Sequence, residues 1–148
     1  MDVKSEDTTL SITNFIASDI DRIVPQEAQK DFKQLFTKET AIFLEERGTS
    51  YTFVNSNNEI VSICGVLPIE EDGIAWAVHA ESFKKHAREI TRTVKMLFQN
   101  LEEEGSFKRF KGSVADGFES GHKWMKILGF TKGKFFKDRG YHEYERKV

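Results

Sequence analysis

One stretch, Asp72 to Gly105, constrains what this chain can fold into more than any other. It reads as an apolar strand, Gly73-Ile74-Ala75-Trp76-Ala77-Val78-His79, feeding a long amphipathic helix. From Phe83 the apolar positions are Phe83, Ala87, Ile90, Val94, Leu97, Phe98 and Leu101, a spacing that keeps one helix face apolar while Lys84, Lys85, Arg88, Arg92 and Lys95 lie elsewhere. Ser82 has the chemistry of an N-cap and Gly105 that of a C-terminal stop. A strand entering a helix whose first turn carries Lys84, Lys85 and His86 is expected to gather free backbone N–H groups and cationic side chains at one point. Such a point suits a phosphate.

The remaining chain is long enough to bury this stretch. At 148 residues with 39% hydrophobic content and thirteen Phe, one compact domain with a sizeable core is expected over residues 10–148, preceded by a flexible N-terminus at residues 1–9. No run approaches the ~20 apolar residues of a membrane span, and the opening MDVKSEDTT lacks the apolar core of a signal peptide, so no membrane association is expected. The single cysteine, Cys64, sits in the apolar run Ile60 to Val66 and reads as a buried core thiol. With no disulfide framework, a reducing, cytoplasmic-type environment is the expectation.

Charge is unevenly distributed. Residues 1–81 hold 6 Lys/Arg and 15 Asp/Glu, a balance of −9, whereas residues 82–148 hold 16 and 9, a balance of +7. The second half therefore offers either an anion-binding face or an ordinary solvated surface.

In chain order, Leu10 to Phe15 alternates as a strand, and Ser18-Asp19-Ile20-Asp21 has the form of a helix start with Asp21 imitating a capping box. Pro25 is expected to open a second helical segment at its first turn, with Phe32, Leu35 and Phe36 as its apolar face. Thr40 to Arg47 reads as a further short helix stopped by Gly48, and the acidic residues of this region read as solvation. Tyr51–Val54 and Ile60–Leu67 form a hairpin about the Asn-rich turn 55–59, and Pro68 to Gly73 forms a second turn into the central strand. After the long helix come a strand (Phe107 to Val114), a short helix (Phe118 to Leu128) stopped by Gly129, and a last hairpin of Phe130–Phe136 with Tyr141–Arg146. The order β, helices, βββ, long helix, β, short helix, ββ is that of one α+β domain.

That order, with Gly129-Phe130 after the short helix and a closing hairpin, resembles the GCN5-related N-acetyltransferase superfamily over about Leu10 to Val148. The phrase His122-Lys123-Trp124-Met125-Lys126-Ile127-Leu128-Gly129-Phe130, with Trp76 in the central strand, is similar to a subset found in tailed bacteriophages, acetyltransferase-like or internal virion proteins. The resemblance implies a mixed, mostly antiparallel central sheet flanked by helices. It also implies acetyl-CoA as acyl-donating substrate, an amine acceptor, and a place in the host cytoplasm or the virion. Backbone groups of Val78, His79 and Ala80 would hold the acyl-pantetheine as an added strand. Lys84, Lys85, His86, Ala87 and Arg88 would line the pyrophosphate, where the family's pattern is Gln/Arg-x-x-Gly-x-Gly/Ala. This chain departs from that pattern: Ala87 and Glu89 replace the two glycines, Met125 stands where many members carry a proton-donating Tyr, and Phe118 stands where an Asn often begins the short helix.

Within this frame three residues at strand ends are candidates for proton transfer: His79, whose imidazole titrates near neutrality in water, and the carboxylates Glu81 and Asp116. The turn Glu70-Glu71-Asp72 offers a cation site or a solvated loop. His86 and His122 have no metal-like spacing with other ligand types, so no metal is expected. Trp76 and Trp124 read as core aromatics. Two functions follow. One is an acyl-CoA-dependent N-acyltransferase. The other is a non-catalytic descendant whose basic half (Lys108, Arg109, Lys111, Lys123, Lys126, Lys132, Lys134, Lys137) contacts nucleic acid or an acidic partner.

Overall fold

The computed structural model describes residues 9–148, so the expected flexible N-terminus, residues 1–9, lies outside the described residues except for Thr9. The elements are β1 (Leu10–Asn14), α1 (Asp19–Arg22), a 3-10 turn (Glu27–Gln29), α2 (Lys30–Lys33), α3 (Lys38–Arg47), β2 (Thr49–Asn55), β3 (Ile60–Ile69), β4 (Asp72–His79), α4 (Phe83–Glu104), β5 (Arg109–Ala115), α5 (Glu119–Ile127), β6 (Thr131–Phe136) and β7 (Tyr141–Lys147). The seven strands form one mostly antiparallel sheet in the order β1-β2-β3-β4-β5-β7-β6, flanked by helices, the α+β architecture expected from the sequence. β4 pairs with β5 in parallel, through Asp72↔Arg109, Gly73↔Phe110 and Ile74↔Lys111. A parallel pair needs a long crossover, and the 22 residues of α4 supply it.

By contact density the chain resolves into two compact units, Met1–Gly65 with Ala77–Ile90, and Val66–Trp76 with Thr91–Val148. In the first, β1 lies antiparallel on β2, and Phe15, Ile20, Ile23, Phe53, Val61 and Ile63 are buried. The β2–β3 turn is fixed by Asn55, whose Oδ1 accepts from the N–H groups of Asn57 (3.0 Å) and Glu59 (2.9 Å) while Asn58 takes a left-handed φ of 63°. Two helix starts differ from expectation. Ser18 makes no side-chain cap; Asp19, nearly fully buried, accepts instead from Ile16 N–H (3.1 Å) and Thr52 Oγ1–H (2.7 Å), tying α1 to β2. Thr37 caps α3 by accepting from Thr40 N–H at 3.1 Å, so that helix begins at Lys38. Pro25 opens no helix; it forms an isolated antiparallel bridge with Ala80.

In the second unit, β7 is flanked by β5 and β6 and pairs with β5 over seven residues, from Arg109↔Lys147 to Ala115↔Tyr141. Pro68 lies inside β3, and the turn into β4 is confined to Glu70 and Glu71, with Glu70 at φ 57°. Two glycines make room for the core here: a Cβ on Gly73 would come within 2.7 Å of the Phe110 ring, and one on Gly112 within 2.7 Å of the Met125 methyl. The apolar stripe read from the sequence is the buried face of α4, with Ile90, Val94, Leu97, Phe98 and Leu101 all buried. Gly105 (φ 73°) and Gly129 (φ 92°) end α4 and α5 in the left-handed conformation a side chain disfavours.

Candidate active site

Every residue expected to hold the acyl donor falls in the first unit, at the end of β4 and the start of α4. Successive residues of a strand present their backbone groups to opposite edges. Ala80 N–H donates to Val61 O at 2.9 Å, so Ala80 and Val78 face β3, and His79 and Ala77 face the opposite edge. That opposite edge is filled. His79 N–H donates to Gln29 Oε1 at 2.8 Å, Gln29 Nε2–H donates to Ala77 O at 2.9 Å, and His79 O accepts from Gln26 N–H at 2.8 Å. Gln26 Nε2–H also donates to Gln29 Oε1, at 3.2 Å. One glutamine carboxamide thus occupies two backbone positions that a neighbouring strand would take. Gln26 and Gln29 are 8% and 7% exposed, both buried despite their polar side chains. The sequence reading assigned neither of them a role. Their only local signal is the i, i+3 spacing after Pro25, since the partner strand lies some fifty residues away.

The imidazole of His79 is buried at 5% exposure, stacks on Phe83 with ring centroids 3.8 Å apart, and shares a 2.8 Å hydrogen bond between Nδ1 and Ser62 Oγ. Burial drives its pKa down to about 3. The ring is therefore neutral at neutral pH and a poor recipient for an ammonium proton, which removes the ground for the proton-accepting role expected of it. Ser62 in turn lies 3.2 Å from Cys64 Sγ, and burial pushes that thiol up to about 12, as suits an inert core cysteine. Glu81 is exposed and sits 3.6 Å from Lys84 Nζ.

The N–H groups expected to be free at the helix start are engaged. Those of Phe83, Lys84 and Lys85 donate to the carbonyls of Ala80, Glu81 and Ser82, at 3.0, 3.4 and 3.1 Å, in a tightened first turn. His86 is buried and Ala87 half-buried, while Lys84, Lys85, Arg88 and Glu89 are exposed. The cationic side chains of this turn therefore reach solvent although the turn's first amides are spent.

Asp116, the third proton-transfer candidate, belongs to the second unit, where its Oδ1 lies 3.0 Å from His142 Nε2. His142 stacks on Phe135 at 4.5 Å and stands 5.1 Å, edge to face, from His122. His122 Nε2 lies 3.0 Å from Ala115 O, which can only accept; Nε2 therefore carries the proton, and Nδ1 accepts from Tyr144 O–H at 2.6 Å. Burial and the Glu119 carboxylate raise the pKa of Tyr144 and keep it a donor. The pairing leaves no local trace in the sequence, because the imidazole belongs to α5 and the hydroxyl arrives from β7. Met125 is a core side chain against Gly112, and Phe118 packs on Gly121 at the head of α5. Trp124 Nε1–H donates to Thr91 Oγ1 at 2.8 Å.

The acidic turn and part of the basic half neutralise one another. Asp72 lies 2.9 Å from Arg109 and 3.3 Å from Lys111, and Glu71 lies 3.0 Å from Lys108. Those three cations each have a carboxylate partner, and in the turn Glu71 and Asp72 each have a cationic one. Among the described residues no group of three or more His, Cys, Asp or Glu is placed to hold a metal ion, and no helix is long and apolar enough to cross a membrane.

No family model and no curated protein sequence matches the chain. Its fold nevertheless matches solved acetyltransferase structures over almost the whole length. An acetyltransferase from Streptococcus agalactiae superimposes with a TM-score of 0.71 at 12% identity, covering 94% of this chain and 98% of that one. The PaiA N-acetyltransferase of Thermoplasma acidophilum, in complex with coenzyme A, gives 0.70 at 10% identity over 95% and 99%. RimL, a ribosomal L7/L12 α-N-protein acetyltransferase also in complex with coenzyme A, gives 0.67 at 16% identity over 95% of both chains. The fold is that of the GCN5-related N-acetyltransferases. These likenesses do not single out the bacteriophage subset.

Proposed function

We propose that the chain is an acyl-CoA-dependent N-acyltransferase, taking acetyl-CoA as donor and an amine as acceptor. The observation that carries this reading is the Gln29 carboxamide bridging Ala77 O and His79 N–H. The edge of β4 turned away from β3 pairs with a lone amide, donor to acceptor and acceptor to donor, as it would with an added strand. The pantetheine arm of coenzyme A carries amides with the same two groups, and strand addition is a general way to recognise an extended amide. Lys84, Lys85 and Arg88, exposed on the first turns of α4, supply charge to the pyrophosphate through their side chains.

In the reaction Glu81 removes one proton from the acceptor's ammonium, and the freed amine attacks the thioester carbonyl. The C–N bond forms and the C–S bond breaks, and the second proton shed by the nitrogen ends on the departing thiolate. His79 acts by position: its neutral ring, held by Ser62 and Phe83, fixes the strand end whose backbone meets the donor. Calorimetry of acetyl-CoA with the wild type and with Lys85→Glu at two salt concentrations tests the reading. Micromolar binding, weakened about tenfold by the charge reversal and by salt, is expected. An absence of heat at millimolar acetyl-CoA, together with no thiol release in the presence of varied amines, would overturn it.

The spent amides of the first α4 turn favour a second reading, in which the fold persists without the activity. The chain would then be a bacteriophage virion, assembly or host-interaction protein, working in the host cytoplasm or the virion. The exposed Lys123, Lys126, Lys132, Lys134 and Lys137 would contact nucleic acid or an acidic protein. Nucleic-acid binding that falls steeply with salt, without any acetyl-CoA heat, is its signature.

A further inference from the structure

We infer that Gln29, backed by Gln26, is a latch that closes the β4 edge in the free chain and that an acyl-CoA must displace in order to bind. The inference rests on the acyltransferase reading above. It starts from a competition for atoms. Ala77 O and His79 N–H already hold the Gln29 carboxamide at 2.9 and 2.8 Å, so a ligand amide docking on that edge has to exchange with it bond for bond.

The manner of closure makes the exchange feasible. A strand edge filled by another strand is released only by unzipping backbone. A strand edge filled by a side chain is released by rotating that side chain about its own torsions, and the backbone contacts Pro25↔Ala80 and Gln26 N–H to His79 O can stay in place. The closure is also a built one. Both glutamines are more than nine-tenths buried, Gln26 Nε2–H donates to Gln29 Oε1, and Lys33 Nζ–H donates to Ile23 O at 2.8 Å, fastening the segment that carries them. Burying a glutamine forfeits rotamer freedom and strips water from its carboxamide, and an apolar side chain would avoid the second cost. What the carboxamide adds is satisfaction of two backbone groups that would otherwise be left without partners beside a core.

Removing the latch should therefore tighten ligand binding, contrary to what loss of a binding residue does. Gln29→Ala frees the edge in advance, and acetyl-CoA should bind it about tenfold more tightly than the wild type, the worth of roughly two modest hydrogen bonds no longer broken. Adenosine 3′,5′-bisphosphate, which has no pantetheine arm, should bind both proteins alike. Gln29→Met retains side-chain volume and carries the same test should the alanine variant fold poorly. In the wild type, the side-chain amide resonances of Gln29 should move to solvent-exposed positions on titration with acetyl-CoA. Equal acetyl-CoA affinity in wild type and both variants, with the Gln29 resonances unmoved, would overturn the latch and leave the acyltransferase reading intact. A matching gain for the bisphosphate would overturn the latch too, since the substitution would then act away from the amide edge. No binding of acetyl-CoA by any of the proteins would overturn the acyltransferase reading and the latch with it.

Discussion

Two of the buried histidines, one from each unit, show two ways of finishing a strand edge. His122 is locked on both nitrogens, by Tyr144 O–H and by Ala115 O, over a β5–β7 ladder whose partners are all backbone. His79 stacks on Phe83 and shares a hydrogen bond with Ser62 Oγ, and its N–H and Ala77 O, on the edge of β4 turned away from β3, are held by a side chain. The first arrangement sits over strands paired backbone to backbone, which part only by unzipping. The second, on the latch proposed above, opens by rotation of one side chain. The difference separates a structural network from a candidate site more sharply than residue type does, since both contain a histidine and a hydroxyl.

The comparison breaks first at Tyr144. It is fully buried and central to its ladder, so Tyr144→Ala should cost about 3–5 kcal/mol in urea unfolding, and Tyr144→Phe, which orphans His122 Nδ1, about 1–3 kcal/mol. A Tyr144→Phe variant as stable as the wild type would show that the hydroxyl pairing is not the fastening described. Next in size is the acid limb of stability. Because burial sets the folded pKa of His79 near 3 against 6.5 unfolded, the unfolded chain binds the extra proton between those values. Stability from this group is therefore full above about pH 6.5 and is lost as pH falls toward 3, with a slope of up to about 1.4 kcal/mol per pH unit. His79→Gln should flatten that limb; an unchanged limb in the variant would place the responsible proton elsewhere.

Gln29→Ala is expected to cost less, about 1 kcal/mol, because water takes over Ala77 O and His79 N–H once the edge opens. A cost of 3 kcal/mol or more would mean that the edge stays dry and the glutamine is structural. The smallest effect concerns Cys64, whose buried thiol, with its pKa pushed to about 12, should react with a thiol reagent only as fast as the protein opens. Fast, stoichiometric labelling under native conditions would contradict the core placement.

Much of the fold was legible because it is periodic or local. The face of α4, the Asn55 turn and the glycine stops at Gly105 and Gly129 all follow from spacings within a few residues. What the sequence hid is long-range. Asp19 reaching Thr52, Tyr144 reaching His122 and Gln29 reaching β4 are side-chain bonds spanning tens of residues, with no period to betray them. Pro25 was misread for the same reason: its bridge to Ala80 is set by tertiary pairing, whereas the helix-opening rule for proline is local. The candidate donor-binding residues lie at the end of β4 and the start of α4, the strand and helix read from the sequence. That their amides would be engaged within the chain depended on atoms outside those elements.

Native-state hydrogen exchange of two backbone amides tests the central contrast most directly. The account predicts that His79 N–H, held by a side chain, exchanges through a local opening of low free energy and weak denaturant dependence, while Tyr144 N–H exchanges only through global unfolding. If His79 instead exchanges with the same free energy and denaturant dependence as Tyr144, the β4 edge is as permanent as the β5–β7 ladder, and the removable closure at the heart of this account is wrong.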